Sequence, residues 1–146
     1  INGTGVRVSL YVSGCSHGCP GCFNEAAWDY RSGTPFGDEQ VNTISEELSK
    51  PYVVGLTLLG GDALMPKNSS TIMELCKVVK DEFPDKNICC WTGYTLEEIL
   101  ENHAHDILNY VDVLVDGKFV EELKNLKLPI RCSENQRVLI KGKDYE

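Results

Sequence analysis

Hydrophobic and polar residues follow one another along the chain in a pattern that predicts strands separated by helices. The segment Val6–Val12 alternates apolar and polar positions and stops before Ser13. Residues 52–59 form a continuous apolar run that leads into Gly60 and Gly61, as expected of a strand buried on both faces. Similar runs predict three more strands, within residues 87–94, 110–117 and 136–142.

Three amphipathic helices are predicted between these strands. Apolar residues at helical spacing share one face of each helix: Val41, Ile44 and Leu48 in the first, Ile72, Leu75, Cys76, Val79 and Phe83 in the second, and Leu96, Ile99 and Leu100 in the third. We expect the second helix to begin behind a cap at Ser69 and Ser70. Thr95 and Glu98 have the spacing of a capping box, which marks the start of the third helix.

The alternation of strands and helices predicts the fold class. It implies right-handed crossovers and a parallel sheet. A complete eight-unit (β/α) barrel takes about 250 residues, whereas this chain has 146. We therefore predict an α/β protein with a single domain over residues 1–146, either an open partial (β/α) barrel of mainly parallel strands or a short doubly wound sheet. In both architectures, ligands bind at the carboxyl ends of the strands.

Composition and charge argue against several classes of protein. The formal net charge is −8 and the basic residues are scattered, which argues against nucleic-acid phosphates as the main partner. No apolar run approaches the roughly 20 residues that cross a bilayer, and the first residues do not resemble a signal peptide. An odd count of seven cysteines favours a reducing, cytoplasmic compartment, where thiols serve metal binding or catalysis.

Three of the cysteines lie in one short loop after the first strand. Cys15, Cys19 and Cys22 have C-x3-C-x2-C spacing, and thiolates suit zinc, copper(I) or an iron–sulfur cluster. An iron–sulfur cubane usually takes four cysteines, so three would leave one iron without a protein ligand. An open iron can coordinate a substrate, as the open position of a catalytic zinc does. The spacing therefore favours an open iron–sulfur cluster.

Two other interpretations of this loop remain open from spacing alone. Zinc could be bound by the three cysteines together with a distant fourth ligand, either Cys132 or His17. Cys19 and Cys22 could instead form a redox dithiol, because Cys-Pro-Gly-Cys resembles a thioredoxin-type motif, although that motif has no need of Cys15. Three further cysteines are interpreted as structural, one on the apolar face of a helix and two on opposite faces of a strand: Cys76, Cys89 and Cys90.

Two motifs taken together resemble those of a known superfamily. C-x3-C-x2-C after a first strand, with Gly60, Gly61 and Asp62 after the second, is similar to the pattern of radical S-adenosylmethionine enzymes. In that superfamily the methionine amine and carboxylate chelate the open iron, and reductive cleavage yields a 5′-deoxyadenosyl radical that abstracts hydrogen. The resemblance implies one 4Fe–4S cluster, S-adenosylmethionine as cosubstrate, and a partial barrel of the radical S-adenosylmethionine type.

Further motifs resemble glycyl-radical-enzyme activases, in particular those of anaerobic (class III) ribonucleoside-triphosphate reductases. The motifs are NGTGVRVSLYVSGC, CFNEAAW, WTGY, VDGK and SENQR, in this order over nearly the whole chain. The resemblance implies an enzyme that installs a glycyl radical on the large subunit of the reductase and receives its electron from a flavodoxin-like donor. From the charge and the apolar runs described above we expect no nucleic acid and no membrane as partner, and a homodimer is left open.

Matching these motifs position by position gives each candidate residue a role. The three loop cysteines would ligate the cluster. Gly60 and Gly61 would bring backbone close to the methionine moiety, and Asp62, where the superfamily more often has Glu, would accept a hydrogen bond from the ammonium. Asp116 and Lys118 match an Asp-x-Lys that contacts the cosubstrate or the substrate loop, and Lys118 could pair with the methionine carboxylate. A C-terminal motif is matched without an assigned role: Asn135, Gln136 and Arg137.

Other functions compete with this interpretation. A different radical S-adenosylmethionine enzyme could modify a small molecule, although the activase-like N-terminal stretch argues against it. A zinc-binding interaction module would be indifferent to S-adenosylmethionine. An iron–sulfur electron carrier would have no need of an open iron.

Overall fold

The computed structural model of the chain describes a sheet of five strands with three α-helices. The described residues are 5–12, 38–60, 62, 64, 66–101, 105–118, 120–123 and 135–145. The strands are β1 (Val6–Val12), β2 (Val53–Gly60), β3 (Asn87–Trp91), β4 (Val113–Asp116) and β5 (Arg137–Ile140). The α-helices are α1 (Asp38–Leu48), α2 (Pro66–Glu82) and α3 (Leu96–Glu101), and short 3-10 helices span His105–Asn109 and Glu121–Leu123.

The strands lie in the sheet in their order along the chain, β1-β2-β3-β4-β5. The first four pair in parallel, and β5 pairs with β4 in the antiparallel direction. The prediction of an α/β fold with a mainly parallel sheet is thus confirmed. A doubly wound sheet reverses its strand order at a switch point, and the described order contains no such reversal. The closure of the sheet into a partial barrel stays a prediction.

One face of the sheet and the helices enclose the hydrophobic core. Leu56 and Leu58 of β2 and Ile88 of β3 contribute from the sheet, and each is fully buried. The predicted helix faces supply much of the remainder, and these helical residues are buried in the same cluster: Ile44, Leu48, Ile72, Leu75, Cys76, Val79 and Ile99. In α3, however, Leu100 is 58% exposed, so its assignment to the apolar face is wrong.

The start of α2 also differs from the prediction. The helix begins at Pro66, which places Ser69 and Ser70 inside it rather than at its cap. Proline favours the first turn of a helix because its fixed φ suits that position and its missing N–H would have no helical acceptor there. No helix among the described residues is long and apolar enough to cross a membrane.

The Arg7 side chain of β1 links three strands by hydrogen bonds to β2 and β3, on the face of the sheet opposite the core. Its Nε donates to Thr57 Oγ1 at 2.8 Å, and its Nη2 donates to the carbonyl oxygens of Leu56 at 3.0 Å and Asn87 at 3.3 Å. Gly55 lies beneath this guanidinium, and a Cβ there would overlap the backbone oxygen of Asn87. The absence of a side chain at Gly55 therefore leaves space for the Arg7 guanidinium.

Candidate functional site

The carboxyl ends of the four parallel strands meet at one edge of the sheet. In the strand register Val12 pairs with Gly60, and Trp91 pairs with Val115. The segments after β2, β3 and β4 consequently leave the sheet at the same edge, as the sequence predicts. Four predicted site residues lie there: Gly60, Asp62, Asp116 and Lys118. Four others lie outside the described residues: Gly61, Cys15, Cys19 and Cys22.

Asp62 joins the ends of β2 and β3. Its side chain is fully buried, and its Oδ1 accepts from the backbone N–H of Leu64 at 2.9 Å. Its Oδ2 accepts from the N–H of Gly93 at 2.8 Å, and the hydroxyl of Thr92 lies 3.0 Å from both oxygens. A buried carboxylate needs such donors to keep its charge. These bonds therefore fix the orientation of the Asp62 carboxyl group at the edge of the sheet.

Thr92 extends the same network to the next segment. Its Oγ1 accepts from the backbone N–H of Tyr94 at 3.1 Å, which shapes the turn that leads from β3 to α3. The capping box then begins α3, because Thr95 N–H donates to Glu98 Oε1 at 3.0 Å and Glu98 N–H donates to Thr95 Oγ1 at 3.2 Å. The predicted capping box is confirmed.

Asp116 ends β4 with a carboxylate that is only 1% exposed. Its Oδ1 accepts from Arg137 Nε at 3.0 Å. Its Oδ2 accepts from the N–H of Leu96 at 2.8 Å and from Arg137 Nη2 in a short contact. A two-pronged guanidinium–carboxylate pair fixes both groups in orientation as well as in distance. Asp116 is consequently engaged on both oxygens by its own chain.

Arg137 also binds Glu97 at the start of α3. Its Nη1 donates to Glu97 Oε1 at 3.1 Å and its Nη2 donates to Oε2 at 2.8 Å. The hydrogen bonds that Arg137 donates, first to Asp116 and then to Glu97, raise the pKa of Arg137. The hydrogen bond from Arg137 in turn lowers the pKa of the exposed Glu97 carboxyl. The guanidinium therefore stays charged between two carboxylates.

Asn135 and Gln136 bind the turn that follows Asp116. Asn135 Nδ2 donates to the carbonyl oxygen of Lys118 at 2.8 Å, and Gln136 Nε2 donates to that of Gly117 at 3.1 Å. Gly117 has a φ of 97°, a left-handed conformation that favours glycine. The C-terminal motif of Asn135, Gln136 and Arg137, whose role the sequence leaves unassigned, thus contacts the predicted Asp-x-Lys site. The antiparallel pairing of Asp116 with Arg137 brings the two together.

Lys118 is exposed beside a cavity of about 430 Å³ at this edge. The cavity is lined by Gly93, Thr95, Glu97, Glu98, Asp116, Gly117, Lys118, Asn135 and Arg137. Among the described residues, no carboxylate forms an ion pair with the Lys118 ammonium. Within this part of the chain, no acidic side chain competes for the Lys118 ammonium with an anionic group that enters the cavity.

Comparison with known proteins decides the family of this chain. Residues 1–139 match a family model described as a 4Fe–4S single cluster domain. Over 138 residues the chain is 46% identical to the anaerobic ribonucleoside-triphosphate reductase-activating protein of Enterobacteria phage T4, a match that covers 94% of this chain and 86% of that protein.

The chain belongs to the family of anaerobic ribonucleoside-triphosphate reductase-activating proteins. Members from Haemophilus influenzae and Escherichia coli (strain K12) are 44% and 43% identical to it. These matches cover 93% and 94% of this chain, and 88% and 90% of the respective relatives. No solved structure matches the chain significantly.

The described cysteines of this family member are poor candidates for metal ligands. Burial raises the pKa of the Cys76 thiol to about 12 and also raises the pKa values of Cys89 and Cys90. Thiolates, not thiols, bind metals. Within the described ranges, no three His, Cys, Asp or Glu side chains converge as metal ligands. The prediction that these three cysteines are structural agrees with their burial.

The thiols of Cys15, Cys19 and Cys22 are suitable ligands for a 4Fe–4S cluster, which the description of the matched family model names. The sequence places Cys15 three residues after the end of β1, and Val12 at that end pairs with Gly60. Thiolates are the usual ligands of such clusters. A cluster held by this loop would therefore be attached next to the edge where Asp62, Asp116 and Lys118 lie.

Burial of the three described cysteines leads to a prediction about their reactivity. In the folded protein at pH 8, iodoacetamide is expected to leave Cys76, Cys89 and Cys90 unmodified, because a buried thiol with a raised pKa offers little thiolate. In urea all three should be alkylated. Peptide mass spectrometry of both samples makes the comparison, and rapid labelling of Cys90 in the folded protein would contradict its buried position in the core.

Proposed function

We propose that the chain is an iron–sulfur activase that installs a glycyl radical on the large subunit of an anaerobic ribonucleoside-triphosphate reductase. The observation that carries the proposal is the match to activating proteins along nearly the whole chain, together with the 4Fe–4S family model. The cluster ligands are Cys15, Cys19 and Cys22, and S-adenosylmethionine is the cosubstrate. When bound, the reduced cluster supplies the electron that cleaves this cosubstrate to methionine and a radical able to remove the Cα hydrogen of a glycine.

The Gly60–Asp62 turn is proposed to receive the methionine ammonium. Gly60 and Gly61 have no Cβ, so their backbone allows a close approach. Asp62 contributes a carboxylate, and its hydrogen bonds to Leu64, Thr92 and Gly93 fix the orientation of that group. In a water-poor site an oriented charge attracts a cation more strongly than it does in water.

The cavity beside Lys118 is proposed to receive the anionic end of the cosubstrate. The Lys118 ammonium has the charge that a carboxylate needs, and it is exposed at the same edge as Asp62. Asp116 belongs to this site in a different way, because its carboxylate is paired with the charged Arg137 guanidinium, whereas the described donors to Asp62 are the neutral groups of Leu64, Thr92 and Gly93. We assign Asp116 to the orientation of the turn and Lys118 to contact with the ligand.

The open side of a partial barrel would admit a glycine loop of the partner. The sequential strand order and the α/β architecture support this arrangement. A flavodoxin-like electron donor and a homodimer remain predictions that accompany the proposal, as does a cytoplasmic location.

Anaerobic reconstitution with iron and sulfide tests the proposed function. The loaded and reduced protein is expected to form 5′-deoxyadenosine from S-adenosylmethionine. With the reductase large subunit present, a glycine-centred doublet should appear in the electron paramagnetic resonance spectrum.

Two outcomes would contradict the proposal at different points. Formation of 5′-deoxyadenosine without the doublet would favour a radical enzyme that acts on a small molecule. Recovery of one equivalent of zinc without sulfide would favour a zinc-binding module. Omission of the large subunit is the matched control for the doublet.

A further inference from the structure

Three consecutive residues bind three consecutive residues across the β4–β5 pair. Arg137 binds the Asp116 carboxylate, Gln136 binds the Gly117 carbonyl and Asn135 binds the Lys118 carbonyl. Every member of the turn from Asp116 to Lys118 is therefore fixed by a side chain from the segment that leads into β5. The contacts to Gly117 and Lys118 are made to their backbone carbonyl oxygens, so they fix the main chain from which the Lys118 side chain extends.

The turn has further anchors on its other side. The N–H of Gly117 donates to the carbonyl oxygen of Tyr94 at 3.0 Å, and the N–H of Leu96 donates to Asp116. Gln136 is buried, whereas Asn135 is exposed. The hydrogen bond from Asn135 therefore lies at the exposed side of the turn, and its acceptor is the carbonyl oxygen of Lys118 itself.

We infer that Asn135, Gln136 and Arg137 form a clamp that positions Lys118 for an anionic group in the cavity. This inference rests on the proposed function, in which the anionic group is the carboxylate of S-adenosylmethionine. A lysine has four side-chain torsions, so its ammonium reaches a defined place only when its backbone is held. The clamp residues are positioning residues, since they act on the ligand through Lys118.

Binding of S-adenosylmethionine to the cluster-loaded, oxidised protein tests the clamp without turnover, because cleavage needs a reductant. Isothermal titration calorimetry gives the dissociation constant. Asn135→Ala is expected to weaken binding by about three- to tenfold, the range expected of one lost hydrogen bond. Lys118→Met should weaken binding by about tenfold or more, because it removes the charge. Asn42→Ala, an exposed asparagine on α1, is the matched control and should bind as the wild type does.

A double-mutant cycle separates positioning from a general structural role. If Asn135 acts through Lys118, Asn135→Ala should have no further effect on binding once Lys118→Met is present. Equal weakening in both backgrounds would overturn the clamp, and so would unchanged binding by Asn135→Ala alone. The urea midpoints of all variants should stay close to that of the wild type, because both changes are at exposed positions.

Failure of the proposed function is recognised separately in this experiment. A cluster-loaded wild-type protein that does not bind S-adenosylmethionine would overturn the proposed cosubstrate and, with it, the clamp that depends on it. A wild type that binds, with an Asn135→Ala variant that binds equally well, would overturn the clamp alone.

Discussion

Cys19→Ala is expected to abolish formation of the glycyl radical on the reductase large subunit. With Cys19 removed, the loop retains two thiolates, too few to hold a cluster that already lacks a fourth protein ligand. Iron and sulfide content after anaerobic reconstitution should fall with the radical signal. Electron paramagnetic resonance of the variant with its partner measures the loss directly.

The matched control for this experiment is Cys89→Ala. Cys89 lies on β3 with 5% of its surface exposed, and burial raises the pKa of its thiol. We expect this variant to bind iron and to form the radical as the wild type does. A Cys19→Ala protein that still generates the doublet would refute the assignment of the loop as the cluster site.

Asp62→Ala is expected to damage both stability and cosubstrate cleavage. The change removes the Asp62 acceptor from the buried N–H of Leu64 and from the half-buried N–H of Gly93. Each such loss costs about 1–3 kcal/mol, so we expect the free energy of unfolding to fall by about 2–5 kcal/mol. Urea titration of the apoprotein measures the free energy of unfolding. Formation of 5′-deoxyadenosine, at a temperature where the variant remains folded, measures cosubstrate cleavage.

Asp85→Ala provides the control for Asp62→Ala. Asp85 is an exposed aspartate in the turn between α2 and β3, so its loss should change stability by less than about 0.5 kcal/mol. An Asp62→Ala variant with the urea midpoint of the wild type would contradict the buried network. A destabilised variant with normal cleavage when folded would contradict the proposed contact with the ammonium.

Elements whose signals are local can be predicted from the amino-acid sequence. β1 follows from the alternation of apolar and polar residues, β2 to β5 follow from short apolar runs, and the capping box follows from Thr95 and Glu98, three positions apart. The start of α2 is wrong in the prediction, because two serines indicated a cap where Pro66 begins the helix. Two local signals for a helix start lie close together there, the serine pair and Pro66. The helix begins at the proline.

The contacts that organise the candidate site could not be predicted in the same way. Asp62 and Thr92 are 30 residues apart in sequence, and Asp116 and Arg137 are 21 apart. No periodicity or short motif connects positions at such separations. The sequence identified Asp62 and Asp116 as site residues through motif resemblance. Only the parallel and antiparallel pairings show which donors each carboxylate meets.

The reversed direction of the last strand has a consequence for how this small fold could be redesigned or extended. Because β5 runs against β4, it starts at the ligand-binding edge and finishes at the opposite one. A redesigned last strand that ran parallel to β4 would instead have its first residues at the opposite edge of the sheet. Asn135, Gln136 and Arg137 would then be far from Asp116, Gly117 and Lys118, and the hydrogen bonds between the two groups could not form.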